Sequence, residues 1–252
     1  MAADLCKSCS EPLLLPIDPE DSDPSDAPIP DDLLLPCGCH YHWQCLLDLS
    51  PSILTNHLCP SCSSSLLVTP ASGSSSSSSA SASEPSIPTR YTSEGGTSEN
   101  LDILPTLKEE AFLTSHPEAR PARAMHTMVA EGDVSGIAEL LMDVDNDADV
   151  DITATQLLRW TDPLNGGKSA LHVAIEAQQE EPFWLLLWLG SGMKADFFPE
   201  EMRQVGLPRG EVGEGEDVRF VRDGEGRRPR DLLVGMGPPW SLYVEEWMFP
   251  EV

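Results

Sequence analysis

The chain has 252 residues and a formal net charge of −27. Phosphate binding needs clustered Lys and Arg, so this balance excludes nucleic acid as a partner, and the same field opposes docking on an anionic membrane surface. Residues 1–100 hold only Lys7 and Arg90 against thirteen Asp and Glu, in a Ser-, Pro- and Leu-rich composition that cannot bury a conventional apolar core.

The first sixteen residues, MAADLCKSCSEPLLLP, lack a basic start followed by an apolar stretch, so no secretory signal is expected. The longest strongly apolar run, Phe183 to Leu189, is too short to span a bilayer. Seven cysteines is an odd number, which argues against a disulfide framework and for reduced thiols in cytosol or nucleus.

All the cysteines fall within residues 1–65. With one histidine they make four close pairs: Cys6 with Cys9, Cys37 with Cys39, His42 with Cys45, and Cys59 with Cys62. Two ligands on one tight turn can converge on one tetrahedron, so eight soft ligands make two zinc sites. Four ligands complete each site and leave no open position, which makes both ions structural. His40 competes with Cys39 as fourth ligand. Cys39 is preferred because Cys37-Gly38-Cys39 places two thiolates around a glycine turn, and His57 reads as a surface residue.

Between the first two pairs, Ser10 to Pro36 reads as an extended loop whose triplets, Leu13 to Leu15 and Leu33 to Leu35, pack against the metal-organised turns. Residues 66–100, with the unbroken run Ser74 to Ser79, read as a flexible linker. Residues 101–252 are Trp-rich and helically patterned.

That last region repeats itself. Ala124-Met125-His126-Thr127-Met128-Val129-Ala130, then Ile137 to Leu141 and Ala148-Asp149-Val150, parallel Ala170-Leu171-His172-Val173-Ala174, Phe183 to Leu187 and Ala195-Asp196-Phe197. Each unit predicts two short helices and a turn. Trp240, Tyr243, Val244, Trp247 and Met248 share one face of a predicted helix, expected to close the stack.

Other motifs fail on detail. The alternating Asp143, Asp145, Asp147, Asp149 and Asp151 lack the Gly and Glu of a calcium loop, with Val150 and Gln156 in those places. Asn165-Gly166-Gly167-Lys168-Ser169 lacks the first glycine of a phosphate loop and reads as a turn. Arg227, Arg228 and Arg230 read as a solvated loop.

The ligand order and spacing resemble a RING finger, in a variant with cysteine as fourth ligand where many members have histidine. A PHD finger typically leaves more residues than the two between Cys39 and His42. The resemblance implies interleaving: Cys6, Cys9, His42 and Cys45 hold one zinc, and Cys37, Cys39, Cys59 and Cys62 the other. It also implies a ubiquitin ligase, which docks a ubiquitin-conjugating enzyme carrying ubiquitin as a thioester and orients it for attack by a lysine of a protein substrate, with no catalytic residue of its own. The family's docking groove uses an apolar residue in the first ligand pair, apolar residues before the seventh ligand, and a proline after it. Pro60 matches the proline; Ile53, Leu54 and Leu58 are candidates for the loop. Ser8 stands where an Ile or Leu often sits, and Ser63 where active members often carry Arg or Lys. The alternative is a non-catalytic zinc-binding adaptor or scaffold.

Residues 119–197 are similar to ankyrin repeats, with Ser169 to Ala174 the closest copy of the T-P-L-H-x-A pattern; Asp223 to Leu232 looks like the start of a third unit. In that family His126 and His172 hydrogen-bond the turn, and the repeats bind a protein partner. The fold expectation is a small zinc-stabilised RING-like α+β domain over 1–65, a disordered linker over 66–100, and mostly α ankyrin-like helical repeats over 101–252.

Overall fold

The computed structural model describes residues 5–15, 29–68, 85–146, 152–204, 208–209, 212–213, 215–245 and 248–250. The chain divides into two compact units, Met1–Ser115 and His116–Val252, each with its own buried apolar cluster. Among the described residues no helix is long and apolar enough to cross a membrane.

The first unit mixes strands and helices. A ribbon of β1 (Leu14–Leu15) against β2 (Ile29–Pro30) precedes β3 (Asp32–Leu34) and β4 (His40–Tyr41). Helices α1 (Trp43–Leu47) and α2 (Ser50–Asn56) follow, then β5 (Pro88–Ser93), β6 (Gly96–Asp102) and α3 (Leu104–Ser115). The antiparallel sheet runs β4-β3-β5-β6, with Leu33 facing Tyr41 on one side and Tyr91 on the other. Strand alternation turns Leu33 and Leu35 inward and leaves Leu34 half-buried. Helix α3 packs on α1 and α2, so Leu104 and Leu107 join Leu46, Leu47 and Ile53 in the core. Asp31 is buried, and its Oδ1 accepts from the Trp43 N–H and the Tyr91 hydroxyl, each at 3.1 Å.

This arrangement moves two sequence expectations. Residues 88–102 form a hairpin continuous with the cysteine-bearing sheet, where the reading placed the end of a linker, and the helices of the second unit begin after Ser115 instead of at 101. Strand β6, Gly-Thr-Ser-Glu-Asn-Leu-Asp, is almost wholly exposed, so it carries none of the apolar alternation that marks a strand. Leu13 packs inward, but Leu14 and Leu15 face solvent at 43% and 44% exposure, so only part of the first triplet covers the turns. Residues 16–28 and the run Ser74 to Ser79 lie outside the described residues.

The second unit is built from helical hairpins. α4 (Arg120–Glu131) turns at Gly132, φ +83°, into α5 (Val134–Asn146). α6 (Ala154–Arg159) starts on a capping box of Thr153 and Gln156. A ribbon of β7 (Thr161–Asp162) and β8 (Lys168–Ser169) leads into α7 (Ala170–Glu176) and α8 (Glu180–Gly190), followed by α9 (Glu200–Arg203) and α10 (Pro229–Leu233). Helix α4 packs beside α7 and α7 beside α10, so the first helices of successive pairs stack.

Helix α8 has no polar middle. Pro182 to Trp188 are all buried, and aromatic and guanidinium side chains from beyond the helix pack on it. Phe198 meets Trp184 and Trp188 at 6.0 and 5.1 Å, and Tyr243 stacks on Phe183 at 5.3 Å. The Arg209 guanidinium lies 5.0 Å over Trp188 and donates to the carbonyls of Ser191 and Met193. Phe198 and Arg209, from the long interval before Asp223, thus cover part of an all-apolar helix. Where an α-helix was predicted to close the stack, Trp240–Val244 form a 3-10 turn that starts directly after Pro239. Trp240, Met248 and Phe249 are buried there. Trp247, the turn Ala148 to Val150, and Asp147, Asp149 and Asp151 lie outside the described residues.

Candidate metal centre

Each ligand pair sits on a tight turn that the local sequence enforces. The β3–β4 connection closes with the Gly38 N–H donating to the Leu35 carbonyl at 2.9 Å and the Leu35 N–H to the Cys39 carbonyl at 3.0 Å. Gly38 takes φ +83°, which only glycine adopts freely, and this turns Cys37 and Cys39 to the same side. The outer pairs form twin knuckles. The Ser10 N–H donates to the Cys6 carbonyl, and the Ser63 N–H to the Cys59 carbonyl, both at 2.9 Å; Ser10 and Ser63 hold φ of +65° and +58°. His42 caps α1 and Cys45 lies three residues on, which places both on one helix face.

These turns converge in two clusters, Cys6, Cys9, His42 and Cys45, and Cys37, Cys39, Cys59 and Cys62. In each, the four ligand atoms lie within 4.8 Å of one another. The His42 Nδ1 is 3.3 Å from the Cys9 Sγ and 3.7 Å from the Cys45 Sγ. A tetrahedral zinc with Zn–S near 2.3 Å and Zn–N near 2.0 Å sets S···N edges of about 3.5 Å, so the donor set fits. The His42 Nε2 lies 2.8 Å from the Pro12 carbonyl, the partner that keeps its proton on Nε2 and frees Nδ1 for a metal. The clusters are compatible with zinc and could hold two metal ions.

The first cluster takes the first and third pairs and the second takes the second and fourth, so neither is complete in one contiguous segment. His40 stays out: its Nδ1 is 2.7 Å from the Asp32 Oδ1, while Cys39 joins the second cluster. Thiol acidity splits within each group. Burial pushes Cys37 and Cys45 up to about 12. Burial also works against Cys6, but the backbone N–H groups of Cys9, His42 and Ser8 bring it down to about 7. The Ser64 hydroxyl and N–H draw Cys62 down to about 6. Four thiolates at contact distance repel, so a bound cation is what allows them all to ionise.

The proposed docking residues are distributed unevenly. Ile53 is fully buried in the core with Leu104 and Leu107, so it is a packing residue and offers no surface. Leu54 and Leu58 are half-buried, and Pro60, Ser8 and Ser63 are exposed. Sequence reasoning missed Tyr41 and Ser64, whose hydroxyls lie 3.6 Å from the Cys59 Sγ and 3.3 Å from the Cys62 Sγ. An aromatic residue directly before a ligand, and a serine two after one, were the available signals.

No protein-family model matches the chain, and neither a curated protein nor a solved structure matches it.

Proposed function

We propose that the first unit is a RING-type zinc domain and that the chain is a ubiquitin ligase, recruiting a charged ubiquitin-conjugating enzyme through that unit and a protein substrate through ankyrin-like repeats in the second. The observation that carries this reading is the interleaving of two four-ligand clusters across residues 6–62. Interleaved sites would tie residues 6–62 into a rigid platform beside the apolar core that Leu46, Leu47 and Ile53 share with Leu104 and Leu107, a core larger than the composition of residues 1–100 led one to expect. On such a platform Leu54, Leu58 and Pro60 supply the apolar contact, and catalysis consists of orienting a thioester that the conjugating enzyme carries. No nucleophile is required of this chain. In the second unit, the stacked first helices and the Ser169–His172 pair support the repeat reading.

A second reading, a zinc-binding adaptor without transfer activity, is favoured by two exposed serines. Ser8 offers no aliphatic contact, and Ser63 no cation for ubiquitin. Chain formation by the purified full-length protein with a broad panel of conjugating enzymes separates the two. Ligation that is lost in Leu58→Ala, with two zincs retained, supports the ligase. A zinc-loaded protein inactive with every conjugating enzyme leaves the adaptor.

A further inference from the structure

The two clusters differ in charge. With a divalent ion, three thiolates and an imidazole leave a net charge of −1, whereas four thiolates leave −2. Cys59 and Cys39 of the four-thiolate cluster are both buried, so part of the larger charge lies out of reach of water. A buried negative charge persists only when donors face it.

The donors differ too. At the first cluster the backbone N–H of His42 faces the Cys6 Sγ at 3.4 Å. At the second, the Ser64 N–H serves Cys62 in the same way, and what is added is a hydroxyl beside the buried Cys59. The Ser64 Oγ lies 3.3 Å from the exposed Cys62 Sγ, and the Tyr41 Oη lies 3.6 Å from the buried Cys59 Sγ. Tyr41 is itself fully enclosed, at 1% exposure, and pairs with Leu33 across β3 and β4. Its backbone leads directly into His42, a ligand of the other cluster.

We infer that Tyr41 is the positioning residue of the four-thiolate site: its hydroxyl donates to the Cys59 thiolate, offsets part of the surplus charge, and links the sulfur of one cluster to the strand that presents the histidine of the other. This inference rests on the metal reading of both clusters. A thiolate that accepts a hydrogen bond gives less electron density to its metal, so the hydroxyl leaves a spectroscopic mark as well as an affinity.

The test uses the full-length chain with Tyr41→Phe, and Tyr91→Phe as a comparison, since the Tyr91 hydroxyl bonds Asp31 and no sulfur. Zinc affinity is measured by competition with a chromogenic chelator, and cobalt(II) is substituted to read the thiolate-to-metal charge-transfer bands of the four-sulfur and three-sulfur-one-nitrogen sites. Y41F is expected to bind two ions, with affinity at the four-sulfur site lowered ~10–100-fold, the usual size of an outer-shell loss. Its four-sulfur band should shift while the other site and Y91F stay as wild type. Wild-type affinities and an unshifted band in Y41F overturn the inference. So does equal weakening of both sites, or loss of both ions, because the phenylalanine ring preserves the packing and only the hydroxyl is gone. A wild-type chain that binds neither zinc nor cobalt overturns the metal reading itself.

Discussion

The His172 Nε2 lies 3.1 Å from the carbonyl of Arg227, fifty-five positions further along the chain, while its Nδ1 meets the Ser169 hydroxyl at 2.8 Å. One buried imidazole thereby caps its own helix and ties it to the turn that opens the next. His126 holds the corresponding place one pair earlier and does none of this. Its ring is 5% exposed, neither nitrogen has a hydrogen-bond partner among the described residues, and its neighbour is the edge of Trp160 at 5.1 Å. The position three before it is Arg123, which pairs with Asp162, where the later copy has Ser169.

Identical residues at equivalent positions should therefore respond oppositely to the same substitution. His172→Phe orphans a buried hydroxyl and a carbonyl and is expected to cost about 2–5 kcal/mol. His126→Phe strands no partner and removes an unsatisfied polar group, so its stability should stay within about 1 kcal/mol of wild type or rise. Urea titration followed by tryptophan fluorescence reads this directly, because five of the six tryptophans belong to the second unit.

Burial of His126 also sets a pH dependence, and burial holds His172 down in the same direction. Burial pushes His126 down to about 4, against the opposing pull of the Asp162 carboxylate. Between that value and the ordinary 6.5, the unfolded chain is protonated at this histidine and the folded chain is not. The unfolded state then binds more protons, so stability falls as pH falls through this window. From pH 7 to pH 5 the loss from this group is about 2 kcal/mol. His126→Phe should flatten the slope by about that amount; an unchanged slope shows that the histidine titrates normally in the fold.

Much of this was readable in advance, for identifiable reasons. The two clusters were legible from spacing, and the glycine turn of Cys37-Gly38-Cys39, with two residues left before His42, favoured Cys39, the residue that joins the second cluster. The histidine motif at Ser169 to Ala174 gave its cap the same way. What stayed hidden lacked a local signal. The exposed strand Gly96–Asp102 has no apolar face, and Ile53 looked like a surface loop residue because the helix that buries it, Leu104–Ser115, lies some fifty positions away. The contact between the Tyr41 hydroxyl and the Cys59 sulfur depends on a side-chain direction that sequence does not state.

Neighbouring turn glycines offer a sharper steric test. A Cβ on Gly167, φ +68°, would lie 2.8 Å from the backbone nitrogen of Gly224, whereas one on Gly166, φ +61°, meets nothing within 4 Å. Gly166→Ala carries only the left-handed backbone penalty, ~1–2 kcal/mol. Gly167→Ala adds a clash with backbone that forces the stacked turns apart, so it should be the more destabilising of the two. Equal melting temperatures for the two variants contradict this contact.

Metal stoichiometry tests the second cluster residue by residue. Cys39→Ser leaves three thiolates there and is expected to reduce bound zinc from two per chain to one, measured by metal analysis after dialysis against a weak chelator. His40→Ala removes a partner of Asp32 that lies outside both clusters, and should retain both ions. A result with the two variants exchanged makes His40 the ligand. The sign of the acid response follows from the same thiols. Burial holds Cys37 up to about 12, so protons compete strongly for the cluster, and metal affinity falls as pH is lowered. In Cys39→Ser the one remaining ion belongs to the cluster containing His42, whose imidazole must also be neutral to bind, so that ion too is expected to leave on acidification.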